Sequence, residues 1–281
     1  MRLSAFKKTV LLAIFPLIFI SAAPLPGSGI ASLSGSGIAS LSEAGIAPLP
    51  GLGITPLPGP EIFVRPKVLI FSKTNGFRHA SIPAGIAAIR KLGEANGFDV
   101  DATEDSTWFR KRTLKRYAAL IFLSPTGTVF GPEEQAALQE YIHHGGGFVG
   151  IHAATDCEYN WQWYGDLVGG YFKSHPKQQQ AKLIVVDKDN PATKDLPDPW
   201  ERFDEWYNFK YLNPNITVLL KIDEKSYTGG ENGENHPMAW YHDYEGGRAF
   251  YTELGHTDES YTDPKFLGHL LGGIKYAMTR K

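Results

Sequence analysis

The chain has 281 residues, with 28 basic and 30 acidic side chains and a net charge of −2 at neutral pH. Basic and acidic residues are nearly balanced, and the sequence has no basic stripe of the kind that indicates a nucleic-acid partner. The only cysteine is Cys157, which excludes an intrachain disulfide, so packing has to stabilise the fold.

Residues 1–23 have the layout of a secretory signal peptide. Three basic residues come first, an apolar run extends from Val10 to Ile20, and small residues end the segment at Ala23. The run is short for a membrane span, which needs about 20 residues, although an uncleaved anchor is the alternative interpretation. We therefore expect a secreted or periplasmic protein with no membrane contact beyond this segment.

Residues 24–60 contain a repeat with a period of eight, which reads GSGIASLS, GSGIASLS, EAGIAPLP and GLGITPLP between Gly27 and Pro58. These units are rich in Gly, Ser and Pro and are too short to bury a face. They are typical of a flexible linker.

Residues 61–281 have a length that suits one domain with a substantial core. In their first half, apolar runs alternate with segments whose apolar residues recur at helical spacing. The predicted elements are a strand at Lys67–Ser72, a helix from Ile82 to about Gly97, strands at Phe98–Ala102 and Tyr117–Leu123, a helix from Pro132 to about Gly145, and a strand at Phe148–Ile151. This alternation predicts an α/β fold with a parallel sheet that is covered on both faces.

The second half is less regular. Its predicted elements are strands at Ala181–Val186, Ile216–Ile222, Met238–His242 and Arg248–Thr252 and a closing helix at Pro264–Met278. We expect one sheet with an irregular, partly antiparallel extension and no second domain.

Two histidines follow predicted parallel strands. His152 comes directly after the fourth strand, and His79 lies in the loop after the first. Ligands bind beyond the carboxyl ends of such strands, so both side chains are expected at the same functional rim. Asp156 lies four residues after His152 and is a candidate partner.

Further polar candidates lie in the less regular half: His175, His236, His256 and the acidic–aromatic run Asp204-Glu205-Trp206-Tyr207. Imidazoles and carboxylates that converge on one cleft can bind a divalent metal or transfer protons near neutral pH. No compact ligand motif such as H-E-x-x-H is present, so a metal site and a metal-free acid–base pair both remain open.

Aromatic side chains are concentrated in the same segments and include Trp206, Tyr207 and Trp240. Flat rings bind the apolar faces of sugars, but they also pack the interior of irregular domains. Both interpretations remain open for these residues.

Five segments carry a family resemblance: TNGFRHAS, GGGFVGIHAATD, GGYFKSHP, FDEWYNF and NHPMAWYHDYEGGRAFYTELGHT. Together with the closing helix they resemble the ThuA-like (trehalose-utilisation) family, a branch of the class I glutamine amidotransferase-like fold, over nearly all of residues 64–278. The resemblance implies a flavodoxin-like sheet and a link to sugar metabolism. Members of the family are often labelled secreted glycosyl hydrolases.

The amidotransferase relatives place a nucleophilic cysteine at the centre of a G-x-C-x-G elbow, and His152 has that position here, between Gly150 and Ala154. An imidazole does not readily replace a thiolate in forming a thioester, so the sequence argues against glutaminase activity.

The leading hypothesis is an exported enzyme that acts on a small carbohydrate, a glycoside or a keto-sugar. The predicted catalytic residues are His152, Asp156, His79, His256 and Glu205. The predicted substrate-binding residues are Arg78, His175, Trp206, Tyr207, His236 and Trp240. If a divalent metal is bound, its expected ligands are His79, His152, His256 and Glu205. A non-catalytic carbohydrate-binding or accessory module is the alternative, and a third hypothesis is that the linker presents the domain to a larger assembly.

Overall fold

A computed structural model describes residues 65–279. The predicted signal peptide and the eight-residue repeats lie outside the described residues. Within this range, no helix is both long and apolar enough to cross a membrane.

Eleven strands and five α-helices are present in the described part of the chain. The strands are β1 (Lys67–Phe71), β2 (Asp99–Thr103), β3 (Ala119–Leu123), β4 (Gly147–Ile151), β5 (Gly170–Ser174), β6 (Gln179–Val185), β7 (Trp200–Asp204), β8 (Asn208–Leu212), β9 (Thr217–Ile222), β10 (Pro237–Tyr244) and β11 (Gly247–Thr252). The helices are α1 (Ile82–Asn96), α2 (Lys111–Leu114), α3 (Pro132–His143), α4 (Gln162–Val168) and α5 (Pro264–Met278).

Nine of the strands form one sheet in the order β2-β1-β3-β4-β11-β10-β9-β6-β7. The strands from β2 to β11 in this order are parallel, and each later neighbour pairs antiparallel. This arrangement confirms the expected α/β sheet with an antiparallel extension. The carboxyl ends of β1, β3, β4 and β11 therefore meet at one edge, which we call the functional rim.

The structure also contains elements that the sequence pattern did not predict. Strands β5 and β8 form a separate two-stranded sheet whose register shifts between Tyr171 and Phe172 and again before Ser174. Strand β7 forms the edge of the large sheet, with alternating buried and exposed residues. Counting along the antiparallel pairs, β7 runs in the same direction as β4, so Glu205 follows a strand that also ends towards the functional rim.

The core lies on both faces of the central strands. All five residues of β3 and all five of β4 are buried, which explains why both read as uninterrupted apolar runs. Helix α5 packs on β11 at very short range, because a Cβ atom on Gly273 would lie 2.3 Å from the ring of Phe250. This packing holds β11, and with it the segment that leads to His256, against the parallel sheet.

Candidate functional site

His152 stands directly at the end of β4 in an unusual backbone conformation. Its φ is 50°, in the left-handed region that residues other than glycine rarely adopt. The side chain is fully buried, and its Nδ1 atom lies 2.7 Å from the carbonyl oxygen of Glu253. Since a carbonyl can only accept, Nδ1 carries the proton, and in the neutral ring Nε2 keeps a free lone pair.

Three other side chains surround that lone pair. The Nε2 atom of His152 lies 3.0 Å from Nδ1 of His256 and 3.5 Å from Oε2 of Glu205. The same Glu205 oxygen lies 3.0 Å from Nδ1 of His256. His79 completes the group, with its ring 4.7 Å from that of His152 and 5.1 Å from that of His256. We call His79, His152, Glu205 and His256 the histidine–glutamate cluster.

Asp204 fixes the geometry of this cluster from behind. Its fully buried carboxylate accepts backbone N–H groups of Glu205 at 3.1 Å and of His256 at 3.2 Å. It also accepts the N–H of Gly255 and hydrogen bonds from Arg202 and Ser260. One carboxylate therefore ties the segment after β7 to the segment after β11.

The protonation states of the cluster suit cation binding. Burial opposes ionisation of Glu205, but hydrogen bonds and charges from His152 and His256 outweigh it and hold the pKa of this carboxyl well below its usual range. Burial, together with the neighbouring His152 and His256, lowers the pKa of His79 to about 3. Near neutral pH the cluster therefore offers a carboxylate and a neutral imidazole.

The donor set of the cluster fits a divalent cation. One ligand atom from each of its four residues lies within 4.8 Å of the others, and three of the four residues are buried. A tetrahedral ion with ligands at about 2.1 Å would hold these atoms roughly 3.4 Å apart, close to the 3.0 to 3.5 Å that separates the facing atoms of His152, Glu205 and His256. The buried Nδ1 atom of His79 has no hydrogen-bond partner among residues 65–279, which is costly for a group with a purely structural role. The carbonyl of Glu253 orients His152 as outer partners of metal-bound histidines do.

Three members of the cluster, His79, Glu205 and His256, line a cleft of about 440 Å³ at the functional rim, and the buried His152 contacts them from behind. The cleft is lined by Phe77, His79, Asp156, Phe172, His175, Gln178, Glu205, Tyr207 and His256. Its lining mixes aromatic rings with carboxylate, amide and imidazole groups, and its volume is within the range of small-molecule sites. A smaller apolar groove of about 230 Å³ near α2 and α3 is lined by other residues and contains no part of the cluster.

Asp156 adds a carboxyl to the cleft wall. Burial raises its pKa, and a hydrogen bond of 2.5 Å from the hydroxyl of Tyr159 opposes this effect in part. A carboxyl that holds its proton to a higher pH is suited to general acid chemistry. Asp156 is not a member of the cluster, so it is available to a substrate.

Two further predicted residues lie in this cleft. The Nδ1 atom of His175 is 3.1 Å from Oε1 of Glu205, and the imidazole remains partly exposed. Tyr207 is buried beneath the cluster, with its ring centroid 4.4 Å from that of His152.

The remaining predicted substrate-binding residues lie elsewhere. Arg78 is exposed and pairs with Glu104 at 2.7 Å. Trp206, His236 and Trp240 are fully buried and bond to main-chain carbonyls, those of Gln179, Tyr207 and Val168 respectively. None of the four lines the cleft, and the three buried residues serve the core instead.

Sequence reasoning did not single out Glu253, Asp204 or Phe77 as site residues. Glu253 is fully buried, its Oε1 accepts the N–H of Tyr207 at 3.1 Å, and burial with the neighbouring Asp204 raises its pKa. Its position directly after β11, at the predicted rim, was the available signal. Asp204 was noted only as part of the acidic–aromatic run, and Phe77 only within a loop.

Comparisons with known proteins agree with the fold. A family model described as ThuA, trehalose utilisation, matches residues 67–277. A ThuA-like protein of Bacteroides uniformis ATCC 8492 superposes with a TM-score of 0.65 at 26% identity, over 76% of this chain and 91% of that one. A ThuA-like protein of Parabacteroides merdae ATCC 43184 gives 0.63 at 24% identity, over 76% and 90%.

A cytoplasmic protein of Salmonella typhimurium LT2 gives a TM-score of 0.56 at 11% identity, over 75% of this chain and 99% of that one. This similarity, like that at 24% identity, shows the shared fold alone. No curated protein matches the chain.

Proposed function

This chain belongs to the ThuA family, and on that premise we propose that it is an exported carbohydrate-active enzyme. Its reaction would be hydrolysis or related acid–base chemistry on a glycoside or a keto-sugar. Export rests on the layout of residues 1–23, and the sugar substrate rests on the family description and on the composition of the cleft.

The histidine–glutamate cluster is the observation that carries the proposal. Buried ionisable groups are costly to a fold, and clusters of them concentrate at functional sites. Here four such groups come from four distant segments and meet beside an open cleft, which three of them line. A purely structural role would not need His152 in a strained conformation or a buried nitrogen of His79 without a partner.

We assign the cluster as a divalent-cation site with His79, His152, Glu205 and His256 as ligands. A bound cation would supply Lewis-acid polarisation of a substrate carbonyl or hydroxyl oxygen. His152, Glu205 and His256 already lie within hydrogen-bond distance of one another, so they would hold the cation together and would bind it in their deprotonated forms.

Asp156 is the proton donor in this scheme. It lines the cleft beside the cluster, and because burial raises its pKa the carboxyl holds its proton to a higher pH than an ordinary aspartate does. Its proton would pass to the leaving oxygen as the glycosidic bond breaks, while a water molecule adds to the anomeric carbon and the proton that this water releases restores the Asp156 carboxyl. His175 contacts Glu205 from the solvent side and would orient a substrate hydroxyl at the cleft mouth.

The thiol chemistry of amidotransferases is not supported here. His152 stands where a nucleophilic cysteine would be needed, and Cys157 is fully buried. Burial raises the pKa of the Cys157 thiol well above its ordinary value, so thiolate is not formed near neutral pH.

The test is product analysis with α,α-trehalose, methyl α-D-glucopyranoside and their keto derivatives, with and without added Mn²⁺ or Zn²⁺. We expect Glu205→Gln and His152→Ala to lower turnover at least 100-fold while both variants remain folded. His144→Ala, in which an exposed histidine is removed, is the matched control and should retain full activity. Unchanged turnover in both cluster variants would refute the assignment, and sugar binding without conversion by the wild type would favour a binding module.

A further inference from the structure

We propose that Phe77 and Phe172 form the subsite that binds the ring of a pyranose substrate by stacking. This inference rests on the proposed function, because it names the part of the substrate that the same cleft would hold.

The exposure of Phe77 is the first observation. Its side chain is 67% exposed, the highest value among the large apolar residues that the structure describes as exposed. A single exposed phenylalanine needs no explanation on an ordinary surface. Phe77, however, lines the cleft two residues before His79, and its ring centroid lies 4.9 Å from that of His79.

The loop that carries Phe77 is held in place rather than free to bury the ring. The hydroxyl of Thr126 donates to the carbonyl of Phe77 at 2.8 Å and accepts the N–H of Gly76 at 3.2 Å. The N–H of Asn75 donates to the carbonyl of Thr126 at 2.9 Å, and its side chain reaches the carbonyl of Thr128. An apolar ring is therefore kept in water beside the cluster by a rigid support, which costs hydration free energy unless a ligand covers it.

A second aromatic ring enters the cleft from a different element. Phe172 is part of β5, and its ring centroid lies 4.2 Å from that of Tyr207 and 5.9 Å from that of His175. It is partly exposed and lines the same cleft. The cleft thus has aromatic walls from two segments and a polar floor.

This combination selects a class of ligand. A pyranose has a face of C–H groups that covers an aromatic ring and a girdle of hydroxyls that needs polar partners. Asp156, His175, Gln178 and Glu205 supply carboxylate, imidazole and amide groups in the same cleft. An acyclic polyol carries the same hydroxyls but presents no flat C–H face.

The experiment is calorimetric titration of the full chain with methyl α-D-glucopyranoside and with mannitol. We expect Phe77→Ala and Phe172→Ala each to weaken glucoside binding about tenfold, Phe77→Trp to restore it, and mannitol to bind far more weakly to the wild type. Phe203→Ala is the matched control, because Phe203 is 52% exposed on β7 and does not line the cleft.

The outcomes separate this inference from the proposed function. If Phe77→Ala and Phe172→Ala bind the glucoside as the wild type does while Glu205→Gln loses turnover, the subsite is refuted and the enzyme assignment stands. Loss of binding in Phe77→Ala without any turnover by the wild type would support the subsite and refute the enzyme. Absence of sugar binding to the wild type would refute both.

Discussion

The carboxylate of Asp204 accepts the backbone N–H of His256 at 3.2 Å, and this bond joins the end of β7 to the end of β11. The same oxygen accepts the N–H of Glu205, so one buried side chain sets the distance between two members of the histidine–glutamate cluster. The positions of Glu205 and His256 in the cluster are therefore determined by Asp204, which does not itself line the cleft.

Asp204→Asn should weaken the link between the end of β7 and the end of β11. The amide keeps one acceptor but turns an NH₂ group towards N–H and guanidinium donors, and it leaves the buried Arg202 without its main counter-ion. We expect the free energy of unfolding to fall by about 2 to 4 kcal/mol in urea titrations. Glu201→Gln on the same strand is the control, because its exposed pair with Lys182 contributes at most about 1 kcal/mol. An Asp204→Asn variant as stable as the wild type would show that the carboxylate is not a clamp.

Glu253 should tolerate replacement by its neutral isostere. Burial and the neighbouring Asp204 raise the pKa of Glu253, so the fold disfavours the ionised carboxylate, and its Oε2 has no hydrogen-bond partner within residues 65–279. Glu253→Gln should change the free energy of unfolding by less than about 1 kcal/mol, whereas Glu253→Ala should cost about 2 to 4 kcal/mol through the cavity and the lost acceptor for Tyr207. Equal losses in both variants would mean that Glu253 is ionised in the fold.

Tyr159→Phe should shift the pH dependence of turnover. The hydroxyl of Tyr159 donates to Asp156 and lowers its pKa, so its removal raises that pKa further. Because a general acid acts in its protonated form, the descending limb of the kcat profile should move upward by about 0.5 to 1 pH unit. Tyr211→Phe is the control, since Tyr211 bonds to Asp166 and not to the cleft. A limb that stays in place would exclude Asp156 as the acid.

Acid should destabilise the domain through His269. This fully buried imidazole bonds to the carbonyl of Ala192 and to Thr252, and burial lowers its pKa to about 4. Between pH 6.5 and 4 this histidine binds a proton in the unfolded chain but not in the folded chain, so its contribution to stability is complete above pH 6.5 and is lost as the pH falls towards 4. The expected loss is on the order of 3 kcal/mol. The free energy of unfolding, measured by urea titration at each pH, should fall more steeply with decreasing pH in the wild type than in His269→Asn. Equal pH dependence in the two proteins would contradict this role of His269.

The sequence predicted the rim of the site better than its walls. His152 and His79 could be placed because parallel strands end at one edge, and the apolar runs of β1, β3 and β4 identify those strands without ambiguity. Strands β5 and β8 escaped prediction because their register shifts interrupt the alternation on which such a prediction depends.

Neighbouring residues at the site point to different sides, which sequence alone could not assign. Tyr207 lies under the cluster while Trp206 packs into the core, and Arg78 leaves the cleft while Phe77 and His79 line it. In an extended chain successive side chains point to opposite sides. A prediction that is wrong by one residue therefore exchanges the side chains that face the site with those that face away from it. The polar and aromatic composition around His236 and Trp240 suggests a role in the site, but both side chains are buried and hydrogen-bond to main-chain carbonyls in the core.

The most direct test of the cation assignment is anomalous diffraction from crystals equilibrated with Mn²⁺ and, separately, with Zn²⁺. A cation held by the cluster should give a single strong peak about 2.0 to 2.3 Å from one ligand atom each of His79, His152, Glu205 and His256, and this peak should be lost in Glu205→Gln crystals treated identically. Crystals that bind either ion only at other positions, or at none, would contradict it.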